Sequence, residues 1–321
     1  MKQAARRLSV ALCLGGTEVD LSNLISVFIP THIIRADQDP YIENQMIVDT
    51  IRSSHDNLKL YNVEFCVYPD AAFNKSHPEL QKRYYEYLEG IKELEGFEDI
   101  KINIVKDTRK TMRNNWLKFV QEDCKTPYML FLEHDWGFAP GTDITKVINN
   151  FEKNPSVGYV KFNRFPHDNS MRNLASPNNW DWMFEEEKDL ELEIPMIKIT
   201  FYSGNPHIAR VQKCKEFYIP EMMKHCPPEL SRGTSHLEKD MKKAELRSID
   251  SLRYCGFSNR SNSDKAWGHM WPLSNGNTIG RGCKICETAI REHQRKWGLY
   301  MLGSFDDDSR VHHLGDWCRK E

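Results

Sequence analysis

The chain has 321 residues, 40% of them hydrophobic and 28% charged, which supplies apolar material for a sizeable core. A formal net charge of −2 offers no general attraction to a polyanion, so nucleic acid is not an expected partner. Nine cysteines, an odd number scattered along a long chain, argue for reduced thiols in a cytoplasm over a disulfide framework.

At the N-terminus, basic Lys2, Arg6 and Arg7 precede an apolar run from Val10 to Leu14. That run is too short to span a bilayer and is followed by no obvious cleavage site, so residues 1–24 read as an extension without a transmembrane segment. From there strand and helix patterns alternate. Ile25 to Ile29 predicts a strand ending at Pro30-Thr31-His32, and a helix follows with Ile42 above Met46 and Ile47 above Ile51. Val63 to Tyr68 is a second strand, ending at Pro69-Asp70. Ser76-His-Pro-Glu79 has the form of a capping box with proline in the first turn, and its helix carries Leu80, Tyr84, Leu88 and Ile91 on one face. A strand at Ile100 to Val105 leads to a helix bearing Met112, Trp116 and Val120.

The next segment, Pro127-Tyr-Met-Leu-Phe-Leu-Glu-His-Asp-Trp136, is the most informative. Tyr128 to Leu132 is a continuous apolar run and predicts a fully buried strand. It ends abruptly in Glu133 and Asp135. Buried carboxylates are costly unless something compensates their charge, and the carboxyl end of a strand in an open α/β sheet is where ligands bind. Two hard oxygen ligands suit Mg²⁺ or Mn²⁺ together with substrate phosphates. The alternative for the pair is a helix N-cap or loop. A helix around Ile144 to Phe151 and a strand at Val157 to Phe162 continue the alternation, which argues for βαβ units and a mostly parallel sheet. Beyond Asn163 the periodicity weakens, and Glu185-Glu-Glu-Lys-Asp189 reads as a solvated loop or helix face.

Ser26-Val-Phe-Ile-Pro-Thr31 followed by Arg35-Ala-Asp37 resembles the opening strand and loop of GT-A-fold glycosyltransferases, the family 2-like group in particular. Thr111-Met-Arg-Asn-Asn-Trp116, then Lys125 through Asp135, is similar to that group's helix leading into its DxD strand, with Glu133 in place of the first aspartate. The resemblance runs from about residue 25 to about 136 and is patchy afterwards. It implies a GT-A-like (Rossmann-type) sheet flanked by helices, with 25–163 as the nucleotide-sugar-binding half and 164–321 as a decorated acceptor-side half of the same domain. By residue, it implies that Thr31 and Asp70 sit near the nucleoside, Arg113 approaches the nucleotide, Asp135 binds the metal and Glu133 contributes to metal or ribose. For Arg113 a surface ion pair, and for Asp70 a plain turn residue, stand beside these roles.

In the second half, Ile199 to Arg210 reads as a strand, a turn at Asn205-Pro206-His207 and a helix start. His207 there is either a structural turn residue or a sugar contact. Ser235-His-Leu-Glu-Lys-Asp-Met241 resembles the family's acidic base motif on a helix, with Glu238 and then Asp240 as candidate bases for the acceptor hydroxyl, or else a solvated charged face. Trp297 to Gly303 is an apolar strand. In the Val311-His-His-Leu-Gly315 segment, the resemblance makes His313 a further metal ligand and His312 its neighbour on an extended stretch, against two surface histidines. Cys283 and Cys286 have zinc spacing but no second such pair, so free thiols are favoured. Trp267-Gly-His-Met-Trp271 with Asn275-Gly276 is either an aromatic sugar platform or core. The expected activity is metal-dependent, inverting transfer of a sugar from a nucleotide-diphosphate donor to a hydroxyl of a glycan, lipid or protein, in a cytoplasm or peripheral to its membrane. The competing expectations are a non-catalytic carbohydrate- or protein-binding module and a nucleotidyltransferase. The latter usually has a glycine-rich phosphate loop, which Thr31-His-Ile-Ile-Arg35 lacks.

Overall fold

The computed structural model describes residues 20–31, 40–70, 78–109, 111–163, 185–199, 202, 204–225, 237, 240–241, 244, 284–304 and 310–314. In the first half the strands are β1 (Ile25–Thr31), β2 (Glu64–Pro69), β3 (Lys101–Ile104), β4 (Tyr128–Phe131), β5 (Trp136–Phe138) and β6 (Tyr159–Lys161). The helices between them are α1 (Pro40–Asn57), α2 (Pro78–Gly90), α3 (Met112–Lys118) and α4 (Ile144–Lys153). The second half adds β7 (Glu185–Glu186), β8 (Met196–Lys198), β9 (His207–Arg210), α5 (Ile219–His225), α6 (Lys284–Trp297), β10 (Leu299–Leu302) and β11 (Val311–His313).

Among the described residues a nine-stranded sheet has the order β3-β2-β1-β4-β9-β6-β10-β8-β7, in which β8 and β9 run against the other seven strands. This is the α/β architecture with a mostly parallel, helix-flanked sheet that the strand–helix alternation predicts and the GT-A resemblance implies. The continuous apolar run of β4 has a direct cause. Tyr128, Leu130 and Leu132 enter one core and Met129 and Phe131 the other, so both faces of the strand are covered. At ~1.5–3 kcal/mol per buried large apolar side chain, this strand is a principal source of stability.

Two regions depart from expectation. His207–Arg210, read as a turn opening into a helix, is a strand between β4 and β6: Ile208 stands opposite both Leu130 and Val160. The two halves of the chain therefore share one sheet. The acidic run at 185–189 is also not simply a solvated face. Glu185–Glu186 pair with Lys198 and Ile197, and the Glu187 side chain is 2% exposed, 3.3 Å from Lys198 Nζ and accepting from the Tyr300 hydroxyl. Ion pairing and a hydrogen bond are what permit that burial. A further strand, β5, forms where none was predicted and pairs with β11 in a separate two-stranded sheet. For the remaining elements the boundaries move by a residue or two, and α3 continues into a wide π turn, Phe119–Asp123, closed by the Cys124 N–H donating to Phe119 O at 2.8 Å. Cys66, Cys124 and Cys214 are buried free thiols. Among the described residues no helix is long and apolar enough to cross a membrane.

Candidate functional site

β1 lies between β2 and β4, with all three parallel, so the order of strands reverses between β1 and β4. The crevice at the carboxyl ends beside such a reversal is where open α/β sheets bind ligands. Phe28 stands opposite Phe131, and Thr31 opposite Pro69, so Thr31, Asp70 and the Glu133–Asp135 turn leave the sheet at neighbouring ends.

Each of these residues is already held. The buried Thr31 hydroxyl shares a hydrogen bond with the Tyr84 hydroxyl from α2. The Asp70 N–H donates to Thr31 O at 2.8 Å, and Asp70 Oδ1 accepts from the Thr111 N–H at 2.9 Å. Thr111 caps α3 with φ +75°, a conformation that is strained for a β-branched residue. Glu133 Oε2 accepts from the Trp136 indole N–H at 3.3 Å.

The turn is framed from two sides. β11 pairs antiparallel with β5, placing His313 opposite Trp136 and His312 opposite Gly137, and the Leu314 N–H donates to Asp135 O at 2.8 Å. The His312 ring lies against Gly137 so closely that a Cβ there would stand 2.5 Å from its Nε2, and its burial lowers its pKa. From the other side, α1 presents Thr50, Ser53 and Asn57. Thr50 Oγ1 donates to His134 O (2.8 Å), Ser53 Oγ accepts from the Phe138 N–H (3.2 Å) and Asn57 Nδ2 donates to Phe138 O (2.6 Å).

Arg113 and Asp240 meet in the interior, Nη1 to Oδ2 at 2.8 Å, with side chains 1% and 9% exposed. Arg113 Nη2 lies 3.3 Å from Met223 Sδ on α5. Arg113 is thus in an ion pair, but a buried one rather than a surface one. Leu237, Asp240, Met241 and Ala244 are helical and buried at i, i+3, i+4, i+7 spacing, so this segment turns an inner face to the core. Glu238 lies outside the described residues, as do Cys283 and the Trp267–Asn275 stretch. The side chains of His313 and Cys286 are likewise not described.

His207 is a structural histidine. It is 0% exposed, its ring stacks on Phe131 at 4.8 Å, its Nδ1–H donates to Asn205 O (2.8 Å), and Nε2 accepts from the Tyr202 hydroxyl (3.2 Å). Burial pushes its pKa down to about 3, so it is neutral near pH 7.

Among the described residues no group of three or more His, Cys, Asp and Glu could hold a metal ion. The described carboxylates, Glu133 and Asp135, nevertheless suit a hard cation that keeps several waters and binds phosphate oxygens. From sequence, Tyr84 stands only on an apolar helix face and Trp136 only at the end of the acidic segment, and Thr50, Ser53 and Asn57 carry no expected role. For α1 the signal existed: polar residues at 50, 53 and 57 share one helical face, unnoticed beside the apolar pairs.

No family model matches the chain, and no curated protein matches it. Solved structures similar to it include mouse xyloside xylosyltransferase 1 in its apo form, with 9% identity, TM-score 0.34, and coverage of 70% of this chain and 81% of that one. A CMP:2-keto-3-deoxy-manno-octonic acid synthetase complexed with CTP is 10% identical at TM-score 0.39, covering 71% and 86%. The apo structure of the WbbM bifunctional glycosyltransferase is 10% identical at TM-score 0.38, covering 72% of this chain and 39% of that one. The fold assignment stands on the strand order itself.

Proposed function

We propose that this chain transfers a sugar from a nucleotide-diphosphate donor to a hydroxyl acceptor, with the donor at the carboxyl ends of β1, β2 and β4. The observation that carries this reading is the exit of the fully buried β4, beside the β1/β4 reversal, into Glu133-His134-Asp135. A strand buried on both faces that ends in a backbone turn carrying two carboxylates is suited to a ligand whose own charge is handled there.

In this reading Asp135, with Glu133 and His313, holds Mn²⁺ or Mg²⁺, which when bound supplies Lewis-acid stabilisation of the departing diphosphate. Thr31 and Asp70 border the nucleoside, with Tyr84 setting the Thr31 hydroxyl. Asp240 keeps one carboxylate oxygen on the Arg113 guanidinium, and taking up a proton would weaken that pair. It therefore serves to anchor its helix, and Glu238 is the better general base for the acceptor hydroxyl, in a single inverting displacement.

Thermal-shift titration with nucleoside diphosphates, with and without Mn²⁺, followed by donor turnover, tests the proposal. Asp135→Asn removes a charge asked to supply several kcal/mol, so turnover falls by about 10²-fold or more with the melting temperature retained. Full turnover by Asp135→Asn in the presence of chelator refutes the assignment of the site.

A further inference from the structure

We propose that Thr50 is a positioning residue for the Glu133–Asp135 turn: its hydroxyl, by binding the His134 carbonyl, sets the direction in which Asp135 leaves β4. That the positioned group is a cation and diphosphate ligand rests on the functional reading above; the positioning itself rests on the contacts alone.

Thr50 is wholly buried in mid-helix. A threonine there commonly turns its hydroxyl back to a carbonyl one turn earlier in its own helix. Here the bond leaves the helix and ends 84 residues away in sequence, on His134 O at 2.8 Å. That oxygen and the Asp135 N–H belong to one planar peptide. Holding the carbonyl therefore fixes the orientation of the Asp135 amide and limits where its side chain can point. The next peptide is held from the opposite side, by the Leu314 N–H on Asp135 O. Consecutive peptides around Asp135 are thus gripped by two different parts of the chain.

The same face of α1 continues the grip. Ser53 takes the Phe138 N–H and Asn57 gives to the Phe138 carbonyl, so side chains of a helix supply the donor and acceptor that a neighbouring strand would otherwise provide. A valine at 50 would fill nearly the same volume without the donor. A purely packing role for Thr50 and a positioning role consequently make different predictions.

The test measures amide hydrogen exchange across 133–138, and Mn²⁺ binding by direct titration, on the full chain as wild type, Thr50→Val and Thr50→Ser. We expect Thr50→Val to stay folded, to raise exchange in the turn about tenfold and to weaken Mn²⁺ about 10–100-fold, the usual scale for losing an outer-shell partner. Thr50→Ser, which keeps the hydroxyl, should restore both. Exchange in folded Thr50→Val indistinguishable from wild type overturns the proposal. Raised exchange in a protein whose wild type binds neither Mn²⁺ nor UDP or GDP upholds the positioning and overturns the donor-site reading instead. Should Thr50→Val not fold, Ser53→Ala removes the acceptor of the Phe138 amide together with the Ser53 hydroxyl's bond to Thr50 O within α1. Faster exchange of that amide supports the α1 clamp, and unchanged exchange overturns it.

Discussion

Along β2, β1 and β4 the strand interiors are almost entirely apolar, and the polar residues gather where the chain leaves the sheet: Thr31, Asp70, Glu133 and Asp135. Across β9 and β10 and beside β8, polar groups sit within the layers: His207 against Phe131 and Tyr159, Tyr300 and Lys198 on Glu187. Parallel strands send their carboxyl ends to one edge, so polar residues placed there can face a ligand. Polar groups inside the layers have no such outlet and must find partners within the protein. The parallel region thus keeps its chemistry at a rim, whereas the mixed region uses its polar groups to lock strands together.

The strongest test of that contrast is the Arg113–Asp240 pair, which joins α3 to the helical residues 237, 240, 241 and 244. Arg113→Met takes the guanidinium away from a buried carboxylate and should cost about 3–5 kcal/mol in urea unfolding, with most of it recovered in Arg113→Met/Asp240→Leu. A small loss in the single variant would mean that the pair does not lock the two regions.

Next comes His207. Its pKa is about 3 when folded against an ordinary value of 6.5, so below pH 6.5 the unfolded chain takes up a proton that the folded chain refuses. Its contribution is complete above pH 6.5 and is lost as the pH falls toward 3. The slope is at most ~1.4 kcal/mol per pH unit, or about 2 kcal/mol between pH 6.5 and 5. His207→Phe should flatten that part of the urea-midpoint profile, and an unchanged slope would remove His207 as its cause.

The smallest effect sharpens the comparison by contrast. Arg109 and Glu122 form an ion pair at 2.5 Å, but both side chains are 47% exposed. Glu122→Gln should change stability by less than about 1 kcal/mol, because solvent screens the pair. A loss comparable to that of Arg113→Met would show that burial is not what separates them.

Continuous apolar runs made β1, β2 and β4 legible, since residues covered on both faces are nearly all apolar whatever packs on them. The four-residue apolar repeat did the same for α1, and the abrupt carboxylates marked the turn after β4. His207–Arg210 escaped because its partners, 128–131 and 159–161, lie far away in sequence, and Asn-Pro beside them gives a local turn signal. The α1 stripe escaped because Thr50, Ser53 and Asn57 look like ordinary solvated residues until β5 lies beside them.

From local pattern alone, the sequence determined the strands and helices of the first half apart from β5, and where acidic side chains leave a buried strand. Only the tertiary structure decided that β9 threads between β4 and β6, that Arg113 is neutralised in the core by Asp240, and that the Glu133–Asp135 turn is held between α1 and β11. Apolar periodicity is a property of each segment, whereas a hydrogen bond or an ion pair depends on which distant atoms the fold brings within about 3 Å.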